Sequence, residues 1–385
     1  MLLQKASLPS GDDSPVHIHI SIFSQNNGYM AYINADMSMY YRFPISLQPH
    51  DVKDLNTRLQ KAIEQVAISF GSQEACSEAL SNLAFVGNFA FKSIFPEGPA
   101  REKIRSALRS GVIMQVASDS FFIPWDLLYD GPLFEKVDIS SFWGMDHIVS
   151  RAIIQDIRPG DFVPSLIETS RPKVGLLAYD KLEHVAKQEI PALQRLHRSK
   201  RILLSRLHAL DNNQNERDKA LMDFARFLED NHQIIHFACH AHERDPVSQS
   251  FLSISEDFHI TITDFVVSEF DLSHNPFVVL NACLTGVINP LYTHYWAAEF
   301  WKRGARGVLA TDFHIPDLFA AAFSEELYQH LLSGKPIGDA LATTRRSFWE
   351  RYNNPLGLAY ALYSSPSIRL TTQFYSSSAR SKEQV

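Results

Sequence analysis

A chain of 385 residues with 45% hydrophobic side chains is long enough to build more than one core. A net charge of −7 and the shortness of its one basic cluster, His197 to Arg201, exclude a dedicated nucleic-acid binder, and no apolar run reaches the ~18 residues that span a bilayer. Cys76, Cys239 and Cys283 are too few and too irregular for a disulfide framework, and the N-terminus lacks a signal-peptide core, so a cytoplasmic location is expected.

The first half opens with three alternating segments, His17–Phe23, Tyr29–Asn34 and Met37–Phe43. They predict an antiparallel meander turning at Asn26 to Gly28 and around Asp36. Helical spacing follows over Asp51–Phe70 and Gln73–Phe91, with a shorter helix over Pro99–Arg109. A strand at Val112–Ala117 and the segment Phe121–Asp130 close this half. Pro and Gly within Arg158–Pro164 interrupt any regular element and predict a linker. Residues 1–163 are therefore expected to form a smaller α+β domain, 164–372 a second domain, and the Ser-rich stretch 373–385 a disordered tail.

After the linker, strands and helices alternate. Strands are predicted at Lys173–Tyr179, Arg201–Leu207, Gln233–His240, Pro276–Cys283 and Gly307–Phe313, with helices over 182–198, 214–230 and 295–303 and two more after Pro316. A hairpin over Ser250–Ile262 interrupts the pattern. Such alternation implies a doubly wound, mostly parallel α/β sheet with helices on both faces, because parallel neighbours require crossover connections.

Two of these strands end in reactive side chains. Gln233-Ile-Ile-His-Phe-Ala-Cys-His240 and Pro276-Phe-Val-Val-Leu-Asn-Ala-Cys283 are apolar runs of the kind buried on both faces of a parallel sheet. Ligands collect beyond the carboxyl ends of such strands, so His240 and Cys283 would meet there. An imidazole raises the thiolate fraction of a nearby cysteine and later protonates a leaving amine, which points to a thiol hydrolase. The rival reading makes His236, Cys239, His240 and His242 metal ligands on a helix. Flanking Ile and Phe favour a strand, which leaves His236 as a core or supporting histidine and calls for no metal or cofactor.

His236-Phe-Ala-Cys-His240, Leu280-Asn-Ala-Cys-Leu-Thr-Gly286, Arg303-Gly-Ala-Arg-Gly-Val-Leu-Ala310 and Ser333-Gly-Lys-Pro-Ile-Gly-Asp-Ala-Leu341 together resemble the successive motifs of the CHAT family. That family is a branch of the caspase-like cysteine peptidases, similar to separases. Ile123-Pro-Trp-Asp-Leu-Leu-Tyr129 and Val149-Ser-Arg151 resemble the segment preceding the peptidase core in many CHAT proteins, so the likeness covers about residues 110–370. It implies a caspase-like fold with His240 as general base and Cys283 as nucleophile, and an N-terminal regulatory or pseudo-caspase-like domain packed on the peptidase through Pro124-Trp125-Asp126. It further implies a bacterial, regulated endopeptidase that awaits an activating partner or ligand and cleaves a protein such as a pore-forming or defence effector. Backbone N–H groups of Ala241 and Cys283 are expected to form the oxyanion hole. Ala241 and Leu284 depart from the usual Gly and acidic residue, and Phe313 stands where a Trp is usual. The substrate pocket is expected among Asp180, Asn281, Asp312 and Phe313, with the two carboxylates favouring a basic side chain.

Overall fold

The computed structural model describes residues 16–26, 28–35, 39–69, 73–154, 165–179, 181–207, 217–284 and 290–371. The chain opens as the alternating pattern requires, with β1 (Ile18–Gln25), β2 (Gly28–Ala35) and β3 (Met39–Ile45) as an antiparallel meander. Asn26 takes the left-handed backbone that the tight first turn demands. Next come α1 (Pro49–Ile68), α2 (Gln73–Ile94) and α3 (Pro99–Ala107). Pro49 suits the first turn of α1, where Asp51 also accepts the Gln48 backbone N–H at 2.8 Å. Then β4 (Ile113–Ser118), a short 3-10 turn at Trp125–Leu127, α4 (Trp143–Asp146) and β5 (Ile148–Ile153) complete this half.

The second half begins with the short β6 (Leu166–Glu168), followed by β7 (Lys173–Ala178), α5 (Ile190–Arg198), β8 (Leu203–Leu207) and α6 (Arg217–Glu229). It continues through β9 (Ile234–His242), the hairpin β10 (Phe251–Ser253) and β11 (His259–Thr261), α7 (Ile262–Ser268), β12 (Phe277–Leu284) and α8 (Pro290–Lys302). The last elements are β13 (Gly307–Thr311), α9 (Asp317–Leu331), α10 (Ile337–Tyr352), β14 (Tyr360–Tyr363) and β15 (Arg369–Thr371), the last paired with β6.

Five parallel strands lie side by side in the order β8-β7-β9-β12-β13. Helix α5, which links β7 to β8, packs Ile190, Leu193 and Leu196 on one face of the sheet together with α9 and α10. On the other face lie α6, α7 and α8, through Phe224, Phe265, Trp296 and Phe300. The winding therefore reverses between β7 and β9. At such a switch the two crossovers leave in opposite directions and open a crevice at the strand carboxyl ends. The expected doubly wound architecture is the observed one.

The sheet does not stop at β13. β14 runs antiparallel to it and joins β5 in parallel, and from there β4, β1, β2 and β3 extend one 13-stranded sheet into the first half of the chain. Neither β5 nor β14 is anticipated as a strand by the sequence pattern, and β6 and β15 are absent from it too. The expected linker at 158–164 falls outside the described residues.

A buried charge cluster crosses the same seam. Arg151 of β5 holds both Asp312 oxygens, at 2.5 and 3.1 Å, and donates to the Tyr363 hydroxyl at 2.9 Å. Arg345 of α10 reaches Asp126 at 2.9 Å and donates to the carbonyls of Gly144, Gly357 and Tyr360. Burial works against the Arg151 charge, but Asp312, Tyr363 and Asp126 together hold its pKa above the ordinary arginine value. Two arginines and two aspartates close the local charge balance. Asp126 thus ties the segment before β5 to α10.

Candidate active site at the strand carboxyl ends

Strand alternation sorts the residues of β9 into two sets. Ile235, Phe237, Cys239 and Ala241 enter the core under α6 to α8, whereas Ile234 and Ala238 enter the core under α5 and α9. His236 and His240 belong to the second set by the same alternation. On β12, Phe277 and Val279 pack toward α5 and α9, while Val278, Leu280 and Ala282 pack oppositely, which assigns positions 281 and 283 to the same face as His240.

The two strands pair in parallel over eight positions, from Phe277 with Ile234 to Leu284 with Ala241. In that register Cys283 is the partner of His240, so their backbones stand one strand spacing apart, about 4.8 Å. Both lie at the carboxyl ends, beside the crevice between β7 and β9. His240 is half-buried, with the Tyr179 ring 5.4 Å away at the end of β7 and the His242 ring at 6.0 Å. Ala241 follows in the same strand between Leu252 of β10 and Leu284 of β12.

Beneath this end the sheet is polar and sealed. Glu189, 1% exposed, accepts from His236 Nε2 at 2.8 Å, Asn281 Nδ2 at 2.6 Å and Ser324 Oγ at 2.9 Å, all on one carboxylate oxygen. The Tyr360 hydroxyl donates to Asn281 Oδ1 at 2.6 Å, and Tyr328 bonds His236 Nδ1 at 3.2 Å. A π-helical turn at Val185–Glu189 delivers the carboxylate. Pro191 follows it, and because proline lacks an N–H and crowds the carbonyl four residues back, the helix widens there and turns Glu189 inward. Nothing in the sequence marks Glu189, since a Glu in an amphipathic helix reads as a surface residue.

Asp180 lies outside the described residues. Asn281 and Phe313 are buried at 1% and 0% exposure, the first inside the Glu189 network. Asp312, also 1% exposed, has both oxygens engaged by Arg151 and therefore holds an internal cation. Burial first, and Glu189 second, push the Cys239 thiol pKa well up, which keeps it protonated and inert. His236 has both ring nitrogens engaged in the core, as a supporting histidine would. Among the described residues no cluster of three or more His, Cys, Asp or Glu is placed to hold a metal ion.

A doubly wound α/β protein with a histidine and a cysteine position in register at its strand ends is the class that fold and site define. Residues 101–379 match the family model of the CHAT domain, and the chain belongs to that family. Among solved structures it is similar to separase of Saccharomyces cerevisiae in its complex with securin, at 10% identity and a TM-score of 0.49, covering 92% of this chain and 30% of that one. It is also similar to the Drosophila initiator caspase Dronc, at 8% identity and a TM-score of 0.31, covering 54% of this chain and 82% of that one. The chain thus spans 30% of the length of the separase chain it matches. No curated protein matches its sequence.

Proposed function

We propose that the protein is a caspase-like cysteine endopeptidase in which Cys283 is the nucleophile and His240 the general base. The observation that carries this reading is the parallel register that pairs position 283 with position 240 at the carboxyl ends of β12 and β9. His240 takes the thiol proton, the thiolate adds to the scissile carbonyl, and the same imidazole returns the proton to the departing amine. Water, deprotonated by His240, then releases the acyl group and restores the thiol. Backbone N–H groups at Ala241 and Cys283 are the proposed donors to the tetrahedral oxyanion. No step draws on a metal or cofactor. Membership of the CHAT family supports the assignment. In this reading the substrate is a protein, such as a pore-forming or defence effector, and an activating partner or ligand releases the enzyme.

The test compares new N-termini in a bacterial lysate treated with the wild-type protein or with Cys283→Ala, with and without calcium and partner extracts. Cleavages confined to wild type are expected. Their absence under every condition, together with no labelling of Cys283 by a thiol electrophile, would leave the protein a binding module.

A further inference from the structure

β9 outlasts β7. The two pair only as far as Ala178 with Ala238, and the remaining residues of β9 are flanked instead by the β10–β11 hairpin. Ala241, Leu252 and Ile260 turn one face of this extension into the core. The opposite face therefore carries two rows across three strands, namely His242, Phe251 and Thr261, and His240, Ser253 and His259. Its members are half-buried, apart from the more exposed His259. His242 stacks on Phe251 at 4.4 Å, His259 lies 4.8 Å from the same ring, and the Arg244 guanidinium sits over it at 5.6 Å.

The charges on this face are unequal. Burial, helped by neighbouring cations, lowers the pKa of His242 and of His259, so both are largely uncharged near neutrality and Arg244 supplies the permanent charge. Arg217 is paired with Asp264 at 2.8 Å, and Glu256 in the hairpin turn is paired with Lys181. Arg244 is exposed, and among the described residues its guanidinium contacts Phe251 and pairs with no carboxylate.

Proton transfer decides which part of a substrate reaches this face. His240 must protonate the leaving amine, so the leaving half of the substrate lies on the His240 side of Cys283. Strands spaced about 4.8 Å apart put β10 and β11 about 10 and 14 Å from β12, distances covered by about three and about four extended residues. We propose that the His242–Phe251–His259 face, with Arg244, binds the residues that follow the scissile bond and selects an Asp or Glu side chain among them. This rests on the peptidase reading. The stacked rings support the stem of the side chain, and Arg244 donates charge-assisted hydrogen bonds to its carboxylate, while a Lys or Arg there would be repelled.

Two measurements test the proposal, and they fail separately. In a peptide library cleaved by the full chain, Asp and Glu should be enriched within three positions after the bond, and Arg244→Gln should erase about fivefold of that preference, the scale of an exposed charge pair. Arg244→Lys should restore part of it, and Phe251→Leu should weaken it without reversing it. Cleavage with no acidic enrichment overturns the proposal and leaves the peptidase reading standing. The second measurement is fluorescence anisotropy on Cys283→Ala, with a labelled Gly/Ser pentapeptide carrying two Glu residues and its Gln and Lys counterparts. Tighter binding of the Glu peptide, lost in Arg244→Gln and weakened by salt, supports the surface even where no cleavage occurs and the peptidase reading has failed. Equal binding of all three peptides overturns it.

Discussion

His236 and His240 stand four residues apart on one face of one strand, yet they live in different chemical worlds. The first is 0% exposed, with both ring nitrogens committed to Glu189 and Tyr328. The second is half-buried at the strand end, beside Tyr179 and in register with Cys283. The cysteines divide the same way, since Cys239 is sealed and held protonated while Cys283 ends the neighbouring strand. A parallel sheet buries its middle between helix layers and opens only at its ends. Polar groups in the middle must satisfy one another, and they serve the fold; those at the end are the ones a ligand beyond the strands can reach.

That division can be broken most sharply at the end of the sheet. His240→Ala should cut proteolysis by about 10²- to 10⁴-fold, the range for loss of a general acid–base, with an unchanged thermal midpoint. A large loss of stability instead would place His240 with the interior residues. The interior should answer in the opposite way. Arg345→Met removes the nearer partner of Asp126, which keeps only Arg151 at 3.4 Å, and takes a charged donor from three buried carbonyls, at a cost of about 3–5 kcal/mol in urea unfolding.

Acid offers a gentler test of the same contrast. His232, tilted against Phe227, and His294, stacked on Phe122, are pushed down to about 4, chiefly by burial, from 6.5 in the unfolded chain. Between those values the unfolded chain binds protons that the folded one refuses, so stability is full above about 6.5 and falls as pH drops toward about 4. Unfolding midpoints across that window should follow this slope, and His294→Phe should flatten it. The smallest effect belongs to Cys239→Ala. Activity should be unchanged, stability should fall by about 1 kcal/mol for the lost sulfur contacts, and native-state alkylation of the wild type should spare Cys239.

Much of this molecule is legible in its residue pattern. The meander and the five parallel strands carry alternation or long apolar runs, the helices α1 to α3 carry helical spacing, and their predicted limits differ from the observed ones by a few residues. The pairing of His240 with Cys283 was within reach because two such runs of similar length end in the reactive residues. What escaped has a physical cause in each case. β14 is four residues long and β15 three, too short for a period to show. β5 is broken by Ser150, which donates to the Met114 carbonyl, and by Arg151, whose charge makes sense only once Asp312 and Tyr363 are beside it. Asp312 reads as a pocket carboxylate from its place at a strand end, since its cation comes from a residue 161 positions earlier. Glu189 is invisible for a related reason, because only the widened turn before Pro191 aims it inward.

The seam between the two halves restricts which residues can be exchanged there. At Gly144 a β-carbon would come within 2.8 Å of Asp126 and of Leu358 and within 2.9 Å of the Arg345 guanidinium, and at Gly357 within 2.9 Å of the Arg345 chain and of Phe323. One buried arginine therefore depends on two absent side chains, one of them about two hundred positions away and the other about a dozen. A side chain added at either glycine would strike the arginine that ties the two halves together, so either exchange should be borne better beside a shorter residue at 345.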